Sequence, residues 1–200
     1  MMNKTLLSVA LLIAGMGAAQ AQMTTTETVV IPAPMHFFLG FGAGAGGDEL
    51  ISATTTDGDI ETLKAGSGVT FAAGVDYRIN PSFSMLASVA YQTDRRKAEN
   101  GTLEFSRVPV ELLAFWHPSA NWRVGGGLRY VSNAKLTGSG VVSMRDIDFD
   151  SSTSGVLEGE YLMGPHLGFQ LRYVHDSYKV DGVRGKIDGN HAALGMRYYF

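Results

Sequence analysis

The chain has 200 residues, with 16 basic against 19 acidic side chains, 25 glycines and no cysteine. The slightly acidic balance gives no reason to expect nucleic acid as a partner, and a sequence without cysteine excludes a disulfide scaffold and a thiolate metal site. The length is that of a single domain.

The first 21 residues have the three parts of a secretory signal peptide. Lys4 gives a positive start, residues 6–14 form an apolar run, and Ala19, Gln20 and Ala21 make a small-x-small cleavage site, which predicts cleavage before Gln22. The run is too short for a membrane-spanning helix, which needs about 20 apolar residues. No other stretch could cross a bilayer as a helix, so a membrane-embedded mature chain would have to be a closed β-barrel.

Residues 22–34 are threonine-rich and end in Pro-Ala-Pro, which predicts an extended periplasmic lead-in without its own core. The rest of the chain, residues 35–200, alternates apolar residues with small or polar ones, the two-residue period of a β-strand. The eight predicted strands cover residues 35–45, 68–79, 83–93, 102–116, 122–131, 155–163, 166–176 and 191–200. In the fourth strand the apolar set changes phase near Pro109, where we expect a β-bulge.

Short and long connections alternate between these strands. Tight turns lie at residues 80–82, 117–121 and 164–165, and longer loops lie at 46–67, 94–101, 132–154 and 178–190. Outer-membrane barrels have this pattern of short periplasmic turns and long extracellular loops, with aromatic girdles at both interfaces. The residues that we assign to the two girdles are Tyr77, Phe83, Trp116, Trp122, Tyr198 and Phe200 at the turn ends, and Phe71, Tyr91, Phe105, Tyr130 and Tyr173 at the loop ends.

Alternation alone does not decide which face lies inside, since a soluble eight-stranded barrel such as a lipocalin has an apolar interior. A narrow barrel has little room inside, so the face that carries glycines and charges is the better interior. The sequence therefore predicts an all-β fold, an eight-stranded antiparallel up-and-down transmembrane β-barrel behind a cleavable signal peptide.

The predicted inward face carries five acids and five arginines. Buried charges must pair, because an unpaired one has a large desolvation cost. We therefore expect a salt-bridged plug that holds the barrel shut, and the alternative is a narrow ion channel. The residues are Asp76, Glu111, Glu158, Glu160, Asp176, Arg78, Arg123, Arg129, Arg172 and Arg197.

His175, Asp176 and Ser177 end the seventh strand. A histidine can deprotonate a serine hydroxyl, and a carboxylate can orient the histidine. The His-x-Ser spacing resembles that of outer-membrane lipid A deacylases, in which an asparagine follows the serine, whereas Tyr178 follows here. Asp188 is near the spacing of the third member. A lipid A ester hydrolase is thus an alternative to the simpler interpretation, a polar rim where a strand leaves the bilayer.

Asp146, Asp148 and Asp150 alternate in the third long loop and could make a loose cation contact beside lipopolysaccharide phosphates, although the EF-hand pattern fails. The interpretation that we favour is a strand that extends above the membrane with one acidic face. The histidines have no metal-ligand spacing, and the sequence carries no nucleotide, haem or flavin signature. We expect no cofactor and no metal.

The last strand resembles the C-terminal assembly signal of bacterial outer-membrane barrels, polar-x-Gly-x-x-aromatic-x-aromatic. Gly195, Tyr198 and Phe200 match, while Ala193 takes the polar position. Together with RVPVELL at residues 107–113 and WRVGGGLRY at residues 122–130, this strand resembles the small eight-stranded outer-membrane barrels of the OmpA/OmpX kind, and most of all the outer-membrane β-barrel domain proteins, over residues 35–200.

That resemblance implies an integral protein of the outer membrane of a Gram-negative bacterium, surrounded by lipid and lipopolysaccharide. It also implies contact with the barrel-assembly machinery through the last strand and a monomeric state. The family includes structural, adhesive and enzymatic barrels, so the fold does not fix the function. We expect a non-enzymatic protein with a structural or surface-interaction role through its extracellular loops, the hydrolase and a narrow channel being the alternatives.

Overall fold

The computed structural model describes residues 34–54, 60–98, 101–140, 147–178 and 187–200. The predicted signal peptide, and all of the predicted lead-in except Pro34, lie outside the described residues. In the part of the chain that is described, no helix is long and apolar enough to cross a bilayer. The strands are β1 (Met35–Gly46), β2 (Glu49–Thr54), β3 (Ile60–Lys64), β4 (Gly68–Asn80), β5 (Phe83–Ala98), β6 (Gly101–Trp116), β7 (Trp122–Gly140), β8 (Ile147–Asp148), β9 (Ser152–Met163), β10 (Leu167–His175), β11 (Ser177–Tyr178), β12 (Ile187–Asp188) and β13 (His191–Tyr199).

Eight of these strands close into one antiparallel barrel. Each pairs with its neighbours in the order β1, β4, β5, β6, β7, β9, β10 and β13, and β13 pairs back with β1, where Phe41 faces Met196. The predicted eight-stranded up-and-down barrel is confirmed. Closure gives each of these eight strands a partner on both sides within the described residues, as a strand that crosses a bilayer requires.

The outward face of the barrel is apolar, as predicted. Leu157 and Leu194 are each 67 % exposed, and Leu171 is 61 % exposed. Aromatic side chains are exposed at both ends of the strands, including Trp122 at the turns and Tyr130 toward the loops. A belt of exposed apolar side chains around a closed barrel is what a bilayer solvates.

The inward face is crowded, and glycine makes room on it. A Cβ atom on Gly74 would overlap the carbonyl oxygen of Ala87 and lie 2.7 Å from two ring carbons of Phe38. The glycine thus lets the Phe38 ring lie inside the barrel, where its centroid is 5.8 Å from that of Tyr199. This contact places the Tyr199 ring among the charged groups described below.

The prediction of a β-bulge at Pro109 is wrong, because the register shift lies before Pro109 and its extra residue is on the partner strand. β6 alternates without a phase change, and Phe105, Arg107 and Pro109 all lie on its buried face. The register shift lies where Ser106 pairs with Lys135 and Val108 with Ser132, so the extra residue belongs to β7. The apolar residues change face because the interior itself becomes apolar beyond Arg107.

That apolar interior lies at the loop end, meaning the end of the barrel opposite the tight turns. Phe105, assigned above to a girdle, is 1 % exposed and packs here, so that assignment is wrong. The predicted loop at residues 94–101 is largely a continuation of β5 and β6, and the first long loop contains the β2–β3 hairpin. The loop-end cluster consists of Leu63, Ala65, Leu103, Phe105, Val131, Ala134, Leu136 and Phe149.

We expect a charged side chain on the lipid-facing surface to destabilise the barrel more at the middle of the bilayer than near its edges. Leu171→Arg, in the middle of β10, should cost the folded barrel about 2–4 kcal/mol, because the guanidinium would lie in the hydrocarbon core. Urea titration of folding into lipid vesicles measures this cost. Met163→Arg, at the turn end of β9, is the control and should cost about 0–1 kcal/mol; equal costs at the two positions would contradict the placement of the membrane.

Candidate functional site

Nine of the ten predicted inward charges form one continuous chain of ion pairs across the lumen, which we name the charge ladder. Acids and arginines alternate at every step along it. The contacts in order are Asp76–Arg123 (3.0 Å), Arg123–Glu160 (2.6 Å), Glu160–Arg197 (3.0 Å), Arg197–Glu158 (2.5 Å), Glu158–Arg172 (3.6 Å), Arg172–Glu111 (2.7 Å), Glu111–Arg129 (3.4 Å) and Arg129–Asp176 (4.0 Å).

Strand register brings several of these partners face to face. Arg123 on β7 lies opposite Glu160 on β9, and Arg172 on β10 lies opposite Glu158 on β9. Glu111 on β6 likewise lies opposite Arg129 on β7. The remaining contacts cross the lumen between parts of the chain that are not neighbours around the barrel, as in the pair between Asp76 on β4 and Arg123 on β7. The ladder therefore depends both on register and on the closure of the barrel.

Protein groups replace water around Arg123, whose side chain is 1 % exposed. Its guanidinium donates to Glu160 at 2.7 Å, to Asp76 at 3.0 Å and to the Tyr199 hydroxyl oxygen, and it lies 4.4 Å from the centroid of the Phe115 ring. The Tyr199 hydroxyl in turn donates to Glu160 at 2.7 Å. A buried ion pair is tolerated when further hydrogen bonds satisfy its atoms, as they do here for the Arg123 nitrogens and both Glu160 oxygens.

Tyr199 was not among the predicted site residues, although it shares its face of the last strand with Arg197, which was. Gln92 and Ser154 were also missed. Gln92 accepts a hydrogen bond from Arg129 at 2.8 Å, and the Ser154 hydroxyl donates to Asp176 at 2.6 Å. Their inward parity was visible in the sequence, but their partners were not: the partner of Gln92 lies two strands away on β7, and the partner of Ser154 lies just beyond the end of the neighbouring β10.

Arg78 is the predicted inward charge that lies outside the ladder. It is partly exposed near the turn end, and it donates to the carbonyl oxygen of Pro81 at 3.1 Å. Nearby, His117 in the turn after β6 is buried, and its Nε2 lies 2.9 Å from the Ser84 hydroxyl. Burial, reinforced by Arg78 and Arg123, lowers the pKa of His117 to about 4, so its ring is neutral at pH 7.

The residues of the alternative hydrolase lie at the loop end. His175 ends β10 and Ser177 begins β11, and both are exposed on either side of the buried Asp176. Ser177 is the register partner of Asp188 in the β11–β12 pair. The Asp188 carboxylate accepts from the backbone and side-chain nitrogens of Asn190, at 2.7 and 2.9 Å. Among the described residues, no hydrogen bond joins His175 to Ser177 or to Asp188.

The predicted loose cation contact lies partly outside the described residues, since Asp146 is not described. Within the described ranges, no group of three or more histidine, aspartate or glutamate side chains could hold a metal ion.

The residues of the predicted assembly signal lie on β13, the last barrel strand, and on Phe200, which directly follows it. Gly195 faces inward beside Gln170, whereas Tyr198 and Phe200 are exposed on the outer face with ring centroids 5.1 Å apart. The Phe200 backbone nitrogen donates to the carbonyl oxygen of Phe37 at 2.9 Å, which ties this segment to β1. Recognition of this strand by the assembly machinery stays a prediction.

A family model described as "Outer membrane protein beta-barrel domain" matches residues 7–200. The chain therefore belongs to this family of outer-membrane β-barrel proteins, and the predicted family is confirmed. The predicted location in the outer membrane is likewise confirmed, whereas export through the signal peptide stays a prediction. No curated protein matches the chain significantly.

Two solved outer-membrane structures are similar to this one. Ail, the attachment invasion locus protein of Yersinia pestis, in complex with the heparin analogue sucrose octasulfate, matches with a TM-score of 0.55 and 16 % identity, over 83 % of this chain and 97 % of Ail. OprG from Pseudomonas aeruginosa matches with a TM-score of 0.50 and 14 % identity, over 84 % of this chain and 96 % of OprG. At these identities the likeness establishes the fold.

We expect the ladder to dominate the stability of the barrel interior. Glu158→Gln removes the charge that faces Arg197 and Arg172 and should cost about 3–5 kcal/mol, because each of these two buried arginines then keeps only one of its two carboxylate partners. Glu104→Gln is the matched control, since Glu104 also accepts two bonds from one arginine, Arg95, but in an exposed pair, and it should cost less than about 1 kcal/mol.

Unfolding of both variants in lipid vesicles by urea gives the two free energies. Equal losses would show that the lumen is hydrated enough to screen the ladder like a surface pair.

Proposed function

We propose that this protein is a non-enzymatic outer-membrane barrel with a structural or surface-interaction role, and that its loop end carries the contacts. The charge ladder is the observation that carries the proposal. It crosses the lumen with side chains that are nearly all buried, at pair distances of 2.5–4.0 Å. A lumen filled in this way leaves little room for a solute, as expected of eight strands.

The form of the loop end gives further support. β5, β6 and β7 continue past the point where β1 ends, and the β2–β3 hairpin packs against them through Leu63. The outer side of this extension carries Thr93 and Arg95, which both donate hydrogen bonds to the Glu104 carboxylate. An ordered polar surface above the bilayer suits contact with other molecules better than it suits passage through the barrel.

Conductance across a planar bilayer tests the closed lumen. The protein should carry no current, because the buried side chains of the ladder occupy the lumen. Removing one complete pair, with Glu111→Ala and Arg172→Ala together, should produce current steps by clearing their side chains from the lumen. Steady single-channel conductance by the unaltered protein would contradict the proposal and favour the narrow channel.

The hydrolase is retained as a second candidate on one observation, the register pairing of Ser177 with Asp188 beside the exposed His175. Under our proposal, lipid A should have the same mass in cells that contain the protein, cells that lack it and cells that carry Ser177→Ala. Mass spectrometry of lipid A measures this. Loss of one acyl chain that requires Ser177 would make the protein an enzyme with its site at the rim.

A further inference from the structure

The lumen has two unlike walls, and a small cavity of about 30 Å³ lies between them. On one side β1, β4 and β5 contribute small residues, including Gly40, Ala72 and Ser88. On the other side are Gln170 and the ladder residue Arg172. The cavity therefore has a charged wall and a wall with almost no side-chain bulk.

Two buried polar atoms on the residues that line this cavity have no hydrogen-bond partner, the Gln170 Oε1 atom and the Arg172 Nε atom. Gln170 is 8 % exposed. The Arg172 guanidinium uses Nη2 to bind Glu111 at 2.7 Å, while its Nε atom is 3.6 Å from a Glu158 oxygen, too far for a hydrogen bond. One orphaned atom is an acceptor and the other is a donor, and buried atoms of both kinds are normally satisfied.

We propose that this cavity is an internal water-binding site in which ordered water bridges Gln170 and Arg172. A water molecule can donate to the Gln170 Oε1 atom and accept from the Arg172 Nε atom at the same time. About 10–15 Å³ of such space holds one water, so the cavity has room for about two.

Neither type of ion fits as well as water. An anion such as chloride could accept from Arg172, but it would face the amide oxygen of Gln170 and the carboxylate of Glu111. A monovalent cation would suit those two oxygens, but it would lie against the guanidinium groups of Arg172 and Arg197. The combination of a free donor and a free acceptor selects a neutral molecule that does both.

The cavity can be narrowed without disturbing the backbone. A Cβ atom on Gly40 would meet no atom closer than 3.5 Å, which is ordinary contact. On the next inward residue, Gly42, it would lie 2.9 Å from the carbonyl oxygen of Leu194 and force a shift. Gly40→Ala is therefore the substitution that places a methyl group against the site and leaves the strand in place.

The direct test is a crystal structure of the full-length mature protein at a resolution that reveals ordered water, from crystals grown in bromide and in rubidium. We expect a water peak within hydrogen-bond distance of the Gln170 Oε1 and Arg172 Nε atoms, and no anomalous signal there. A bromide or rubidium peak would assign the site to an ion, and a site without density would be a dry cavity; each of these results overturns the proposal.

A second measurement uses folded protein in solution and does not need crystals. Oxygen-17 relaxation dispersion counts the waters that stay inside the protein for longer than solvent water does. Gly40→Ala and Gln170→Leu should each lose long-lived water, whereas Leu39→Ala, on the lipid face of the same strand, should keep the count of the unaltered protein. An unchanged count in both cavity variants would refute the water site.

Discussion

Inside a barrel this narrow, every charge must find an opposite charge among the residues that face it, and the rest of the structure follows from that requirement. Leaving one member of a buried pair without its partner costs about 3–5 kcal/mol. A slip of one residue in a strand turns its inward side chains to the outside. For β9 such a slip would move Glu158 and Glu160 into the lipid and leave Arg197 without either carboxylate. The ladder therefore specifies register as well as filling the lumen.

The ladder does not close the lumen alone, because apolar rings lie next to its arginines. Arg123 lies over the ring of Phe115 at 4.4 Å, and Arg197 lies over the ring of Phe38 at 5.2 Å. Such cation–π contacts strengthen when they are removed from water. The rings belong to an apolar cluster that includes Leu86 and Tyr199, so charge and apolar packing share the same space. Gly74 on β4 gives room to the Phe38 ring, and Gly125 on β7 gives room to the Phe115 ring.

The sequence predicted the closed eight-stranded barrel and the inward position of the ladder residues, because a two-residue period assigns each side chain to a face. It did not predict Tyr199 as a partner of Arg123, or the pair between Asp76 and Arg123, since these contacts join strands that are distant around the barrel. Strand tilt and closure decide which residues meet across a lumen, and periodicity carries no information on either.

The errors at Phe105 and Pro109 have one physical origin, the level at which β6 leaves the bilayer. Below Arg107 the inward face of β6 is charged at Glu111 and its outward face is apolar, whereas above it the inward face is apolar at Phe105 and the outward face carries Glu104. Water surrounds the upper part and lipid the lower part, so the rule for the buried face reverses along one uninterrupted strand.

The reversal makes the loop end a small water-soluble β structure with its own apolar core, built on the rigid barrel below. Leu63 from the β2–β3 hairpin and Phe149 next to β8 both pack into that core. They belong to two loops that are far apart in sequence, so the core joins these loops. Loops that share a core are held in a fixed arrangement, and a fixed arrangement lowers the entropy that must be lost when a partner binds. The charge ladder fixes the register of the strands that carry this loop-end structure. The arrangement of the exposed surface therefore depends on the buried charges below it.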